Sequence, residues 1–95
     1  MIIINDNKDS IVISGHANFA KNGYDLVCAA ISAIVFGAIN SFQSIDEKEI
    51  KIKKNNILIK KNKMSTEDKI RFNMMMSQIQ TVANNYPKNI ELKLN

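Results

Sequence analysis

The sequence predicts an α+β fold, a two-layer sandwich of a mostly antiparallel sheet with two helices. Three observations predict it: paired β-branched runs separated by turn residues, two long helical segments, and an alternating run after Pro87. These segments follow one another in the order ββαββαβ. Because strands and helices are partly segregated along the chain, we expect them to form separate layers.

The first half of the chain contains a hairpin and a helix. Residues 2–4 and 11–14 are β-branched and flank a turn-forming stretch at 5–9, which is typical of a hairpin. The helix begins at Asn22 or Gly23 and runs to about Asn40. It is apolar on nearly every side, so we expect other elements to cover it.

The second half repeats the hairpin and helix and adds a last strand. Residues 49–53 alternate, Asn55 and Asn56 suit a tight turn, and residues 57–60 follow, so the hairpin turns its lysines toward solvent. Ser65 or Thr66 caps the second helix and Pro87 ends it. An apolar stripe should pack this helix on the sheet: Phe72, Met75, Ile79, Val82 and Tyr86. Residues 90–94 alternate and form the final strand.

Length and composition predict one domain over residues 1–95, since 45% of the residues are hydrophobic and 95 residues suffice for one modest core. The longest apolar stretch, 26–39, is shorter than the roughly 20 residues that span a membrane. We therefore expect no membrane association. Nothing at the start of the sequence resembles a secretory signal, so we expect a cytoplasmic protein.

The charge and the metal-binding residues limit which cofactors and partners we expect. One cysteine and one histidine exclude an internal disulfide and the usual zinc spacings, so we expect no metal and no cofactor. A net charge of +4 would favour nucleic acid as a partner. However, Arg71 is the only arginine, and arginine supplies the bidentate contacts to phosphates and guanine edges. We therefore do not expect direct nucleic-acid binding.

His16 and Cys28 are the residues best suited to chemistry. His16 ends the first hairpin and Cys28 lies near the start of the first helix, so the intervening loop can place the imidazole against the thiol. A helix N-terminus and an adjacent imidazole both favour the thiolate, which is the reactive form of cysteine. Asp25 and Ser32 lie three and four residues from Cys28 and share its helix face. This arrangement predicts a nucleophile and its base.

Each of these residues also has a structural interpretation. Asp25 could cap free backbone N–H groups in the first turn instead of orienting His16. Cys28 could be a small buried hydrophobe, and Ser32 could bond to a carbonyl one turn earlier. His16 could be a hydrogen-bonded structural group. Only their combination indicates catalysis.

Three short motifs in this sequence resemble the ribosomal-processing cysteine proteases, the Prp family. They are SGHA at 14–17, DLVCAAIS at 25–32 and, more weakly, NYP at 85–87. The resemblance implies a cytoplasmic, homodimeric cysteine peptidase that removes a short N-terminal extension from a large-subunit ribosomal protein. It assigns the base to His16 and the nucleophile to Cys28, and places Gly15, Asp25 and Ser32 at other signature positions.

The loop between the two motifs is a candidate substrate contact. It carries Asn18, Phe19 and Gly23, and a loop in this position could order when substrate arrives. Phe19 could cover an apolar peptide, or it could anchor the loop to the core.

A non-catalytic interpretation rests on the lysines. Seven of them lie in and beside the second hairpin: Lys48, Lys51, Lys53, Lys54, Lys60, Lys61 and Lys63. In this alternative the chain is an RNA- or ribosome-binding module. The ordinary meaning of such alternation is a solvated face that also keeps edge strands from pairing with other chains.

Overall fold

The computed structural model describes residues 1–15, 26–54 and 56–95. Its elements occur in the predicted order, ββαββαβ. They are β1 (Ile2–Asp6), β2 (Ser10–Ser14), α1 (Leu26–Ser41), β3 (Ile50–Ile52), β4 (Asn56–Lys60), α2 (Thr66–Asn85) and β5 (Ile90–Leu94). No helix within these ranges is both long and apolar enough to cross a membrane.

The strands form one sheet in the order β3-β4-β2-β1-β5. β1 pairs in parallel with β5, and the other three pairings are antiparallel. The predicted α+β class and the mostly antiparallel sheet are therefore confirmed. Two boundaries differ from the prediction: β1 continues to Asp6, and Asn56 is the first residue of β4 rather than part of the turn.

The core lies between the sheet and the two helices. Alternate side chains of the three central strands turn toward the helices and are buried, which is the period of two expected for a sheet covered on one face. Ile4, Ile11 and Ile59 are 0% exposed. On the helix side, the core includes the buried side chains of Ile31 in α1 and Ile79 in α2.

α2 begins at the predicted cap and buries most of the predicted stripe. The Ser65 side chain accepts a hydrogen bond from the backbone N–H of Asp68, at 3.1 Å. Phe72, Met75 and Ile79 are buried, but Tyr86 lies beyond the helix as its C-cap residue and is 42% exposed. Ala83 is buried in its place.

α1 differs from the expectation that other elements cover it. Its inner face is buried, but Leu26 is 72% exposed, and Ala29, Ala33 and Gly37 are exposed as well. The prediction of a fully covered helix was wrong because hydrophobicity on every side of a helix does not tell which side faces the core. The exposed residues follow one another at three- and four-residue spacing, so they form a single outward face.

The Asp68 side chain connects the two helices at one end of the molecule. It is 0% exposed. It accepts hydrogen bonds from the backbone N–H groups of Gln43 and Ser44 and from the Ser44 hydroxyl, and it forms an ion pair with Arg71 at 2.6 Å. The Ser44 hydroxyl in turn accepts from the backbone N–H of Ser65, at 2.9 Å. The carboxylate thus joins the segment after α1 to the first turn of α2.

Burial by itself raises the pKa of Asp68, because a low-dielectric surrounding disfavours the charge. Hydrogen bonds from the Ser44 hydroxyl, the Ser44 backbone, Arg71 and the Gln43 backbone outweigh that effect and lower the pKa from 3.8 to about 2. The side chain is therefore a carboxylate at neutral pH.

The two helices run antiparallel. The segment after α1 meets the first turn of α2 through Asp68, and the two helices line a common groove along their length. The start of α1 therefore lies at the same end of the molecule as the end of α2. β5 also begins at that end, because only a short connection separates it from the end of α2. The backbone carbonyl of Asn89 accepts a hydrogen bond from the backbone N–H of Ile2, at 2.9 Å, so β1 begins there as well.

Candidate active site

Gly15 directly follows β2 and has a backbone conformation that favours glycine. Its φ is +88°, in the left-handed region that favours glycine. A Cβ at this position would lie 2.3 Å from the carbonyl oxygen of Met1, so no side chain fits. Both constraints act on the residue directly before His16. Position 15 therefore requires glycine.

Cys28 lies in the first described turns of α1 and is 7% exposed. Its Sγ is 4.0 Å from the Oγ of Ser32, one turn further along the helix. The two side chains share a helix face, as their spacing predicts. The Ser32 hydroxyl therefore lies in contact with the thiol, and its supporting role stays a prediction.

Gly15 and Cys28 lie at the same end of the fold. In the sheet, Ser14 pairs with Asn56 of β4 and with Ile3 of β1, close to the start of β1. That is also the end at which β5 begins and α2 finishes, and the antiparallel helices bring the start of α1 there. The topology thus brings together the two described ends of the segment that carries the predicted base.

The remaining predicted site residues lie outside the described residues. They are His16, Asn18, Phe19, Gly23 and Asp25. Their predicted roles as base, substrate loop and either orienting or capping carboxylate stay predictions.

The lysines of the second hairpin are mostly solvent-exposed, as the alternation predicts. Lys61 is the exception. Its Nζ contacts the Asp6 carboxylate at 2.6 Å and lies 4.8 Å from the centre of the Phe72 ring, and its side chain is 17% exposed. Lys61 therefore belongs to the packing between β1, β4 and α2 rather than to a solvated face.

Metal-ligating side chains are scattered in the described part of the chain. In residues 1–15, 26–54 and 56–95, no three His, Cys, Asp or Glu side chains are grouped so that they could hold a metal ion. The chemistry available to the described site is that of a thiol and a hydroxyl.

Comparison with known proteins assigns this site to a class. The family model that matches the chain describes cysteine proteases and spans residues 1–91. The chain is therefore a cysteine protease, and it belongs to the family described as Cysteine protease Prp. The resemblance seen in the motifs around His16 and Cys28 is confirmed.

Curated relatives carry the same description. The chain is 37% identical over 92 residues to the ribosomal processing cysteine protease Prp of Mycoplasma genitalium, which covers 95% of this chain and 92% of that protein. It is 28% identical over 98 residues to the ribosomal processing cysteine protease Prp of Staphylococcus aureus, covering 96% and 92%.

Solved structures share the fold. The Prp protease of S. aureus in complex with a covalently linked product peptide matches with a TM-score of 0.74 and 23% identity, covering 99% of this chain and 97% of that one. The same protease in complex with a substrate peptide matches with a TM-score of 0.73 and 23% identity over the same shares of the two chains. At this identity the match shows the fold alone.

Proposed function

We propose that this protease removes the short N-terminal extension of a large-subunit ribosomal protein in the cytoplasm, as one peptidase domain over residues 1–95. The observation that carries the proposal is the position of Cys28, at the start of α1 and at the same end of the fold as Gly15. The relatives from M. genitalium and S. aureus are named ribosomal processing proteases, which supports this substrate class.

In the proposed mechanism His16 is the general base and Cys28 the nucleophile. His16 takes the thiol proton, and the Cys28 thiolate attacks the scissile carbonyl carbon. Backbone N–H groups at the start of α1 stabilise the oxyanion of the tetrahedral intermediate. The imidazolium then protonates the leaving amine, and the carbon–nitrogen bond breaks to leave a thioester. Water hydrolyses the thioester, releases the extension as a carboxylic acid and restores the thiol.

The supporting residues Gly15, Ser32 and Asp25 position the two catalytic side chains or the helix that carries Cys28. Gly15 sets the start of the segment that carries His16, because its backbone conformation and the adjacent Met1 carbonyl admit no side chain. Ser32 holds the Cys28 side chain through the 4.0 Å contact between their Sγ and Oγ atoms. Asp25 either orients His16 or caps α1.

The loop residues Asn18, Phe19 and Gly23 contact the substrate in this proposal. They belong to the segment that joins Gly15 to α1, the element that carries Cys28. Loops held between rigid elements commonly supply such contacts.

The outward face of α1 supports a homodimer. The helix carries no charged residue from Leu26 to Ser41, although the chain has a net charge of +4. In a two-fold dimer the same surface meets itself, so a helix without charged residues brings no like charges of its own together. Ala29, Ala33 and Gly37 are small enough to let two helices approach closely. A second copy of the chain is the partner that this face fits.

The alternative function, an RNA- or ribosome-binding module, rests on the exposed lysines of the second hairpin. Lys51, Lys53, Lys54 and Lys60 are exposed along β3, the hairpin turn and the end of β4. They could contact phosphates without any chemistry at Cys28. Substituting these lysines and substituting Cys28 therefore test the two functions separately.

Mass spectrometry of the organism's own ribosomal-protein N-terminal peptide tests the proposal. The peptide is incubated with wild type, Cys28→Ala, Cys28→Ser and His16→Ala, each shown to be folded by circular dichroism. Cleavage at one bond by wild type alone supports both assignments. If folded wild type leaves the peptide intact, the protease proposal for this substrate fails. Loss of RNA binding on replacing Lys51, Lys53 and Lys54 with alanine would then favour the alternative.

A further inference from the structure

A cavity lies at the end of the fold opposite Cys28. It has a volume of about 510 Å³, within the roughly 300–1,000 Å³ of small-molecule pockets, and we call it the distal cavity. The β1–β2 turn, the connection from β4 to α2 and the first turns of α2 line it. β1 begins at the end that holds Cys28, and its 5 residues, at about 3.3 Å each, carry the chain to the distal cavity. A molecule bound there therefore leaves the catalytic end free.

The floor of the distal cavity is apolar. Met64 and Phe72 line it, and each exposes 6% of its surface. The Lys61 Nζ lies 4.8 Å from the centre of the Phe72 ring and 2.6 Å from the Asp6 carboxylate, so this lysine is already paired. A flat, weakly polar ring placed on the floor would bury the exposed parts of Met64 and Phe72, which is favourable.

The rim of the distal cavity carries positive charge that is not paired. Lys8 and Lys69 are exposed there, and neither takes part in the ion pairs found among residues 1–15, 26–54 and 56–95. Asp9 is exposed on the same rim. The lining as a whole holds three lysines and two aspartates, a net charge of +1. Lysine binds phosphate as a point charge, and two ammonium groups suit the nearly double charge of a phosphate monoester.

Two asparagines complete the rim. Asn62 follows β4 directly beyond Lys61, and Asn73 lies in the first turns of α2; both are exposed. Within the described part of the chain, neither side chain is used in a hydrogen bond. An amide offers donors and an acceptor together, as does the polar edge of a nucleobase. The rim therefore combines groups for a phosphate with groups for a base.

From these features we infer that the distal cavity binds a nucleoside monophosphate, with its phosphate between Lys8 and Lys69 and its base on the floor formed by Met64 and Phe72. The inference is independent of the proposed function, because the distal cavity and Cys28 lie at opposite ends of the fold. A ligand held in this way connects the β1–β2 turn to α2. It should therefore raise the melting temperature as its concentration rises.

Isothermal titration calorimetry of the wild-type protein with adenosine monophosphate (AMP) tests the inference, with adenosine and inorganic phosphate as the two halves of the ligand. We expect one AMP per chain with a Kd below about 1 mM, and at least roughly tenfold weaker binding of either half. AMP that binds no more tightly than phosphate would overturn the inference, because the base would then contribute nothing. Tighter binding of a phosphorylated RNA hexanucleotide than of AMP would also overturn it, since the ligand would then be a strand. So would the lack of saturable AMP binding.

Matched lysine variants locate the site. Lys8→Gln and Lys69→Gln should each weaken AMP binding about threefold to fivefold, the usual effect of one exposed charge. Lys88→Gln is the control, because Lys88 is also exposed but follows α2 at the other end of the molecule, and it should bind AMP like wild type. Nuclear magnetic resonance should show AMP shifting the side-chain amides of Asn62 and Asn73. Equal affinities of all four proteins, or shifts confined to the end that holds Cys28, would overturn the inference and leave the protease activity standing.

Discussion

Replacing Asp68 with asparagine removes one buried charge while nearly preserving the side chain's shape. The carboxylate accepts from the backbone N–H groups of Gln43 and Ser44, from the Ser44 hydroxyl and from Arg71. An amide places a donor where these donors converge. The free energy of unfolding at pH 7 should therefore fall.

The size of the effect follows from the pKa of Asp68. Hydrogen bonding lowers that pKa from 3.8 to about 2 against the opposing effect of burial. Each pKa unit corresponds to about 1.36 kcal/mol, so the ionised form contributes about 2 kcal/mol to folding. Because the folded-state pKa is the lower one, this contribution is complete above about pH 4 and is lost as the pH falls toward 2.

Urea unfolding followed by circular dichroism measures the difference. Asp68→Asn should be about 2 kcal/mol less stable than wild type at pH 7, and the gap should close as the pH approaches 2. Asp9→Asn is the control, because Asp9 is exposed, and it should change stability by less than about 0.5 kcal/mol. Equal stability of Asp68→Asn and wild type at pH 7, or a gap that persists at pH 2, would refute the reasoning.

Three further substitutions have matched controls. Gly15→Ala should lower the free energy of unfolding in urea by more than about 2 kcal/mol, because its Cβ would meet the Met1 carbonyl. Gly37→Ala is the control, since its Cβ meets nothing within 4 Å. Similar stabilities for the two variants would count against the steric explanation. Ile79→Ala leaves a core cavity and should lower the free energy of unfolding by about 2–5 kcal/mol. The control Ile70→Ala should lower it by less than about 1 kcal/mol, because Ile70 is 62% exposed. A small loss at Ile79 would mean that the core is less tightly packed than described. Ala33→Lys puts a charge on the outward face of α1 and should yield a monomer in sedimentation velocity, while Ser77→Lys on α2 should remain dimeric; a dimer that survives Ala33→Lys places the interface elsewhere.

Local patterns in the sequence predict the elements well. The Ser65 cap and the inward positions of Phe72, Met75 and Ile79 depend on neighbours within one or two helical turns, so spacing alone reveals them. Tyr86 was wrongly included in the stripe because the periodicity does not mark the residue at which the helix ends.

Distant contacts are not visible in such patterns. The parallel pairing of β1 with β5 joins the two ends of the chain, and no turn between them specifies it. The spacing of Ser65 and Asp68 signals a helix start, but not that the Asp68 carboxylate meets Gln43 and Ser44 more than twenty residues earlier.

The candidate site was predicted to a similar extent. Helical spacing places Ser32 against Cys28, and the structure has that contact. The steric need for glycine at position 15 depends on Met1, which directly precedes the neighbouring strand β1, so it cannot be inferred from the local sequence.

Covalent trapping of the nucleophile tests most directly whether Cys28 carries the reaction. The probe is the substrate's N-terminal segment, synthesised with a C-terminal vinyl sulfone in place of the scissile bond. Tryptic peptide mapping by mass spectrometry should find one label per chain, on Cys28, with activity lost in proportion and both effects blocked by excess substrate peptide. Cleavage that continues after Cys28 is fully labelled, or inactivation with the label on another residue, would contradict the assignment.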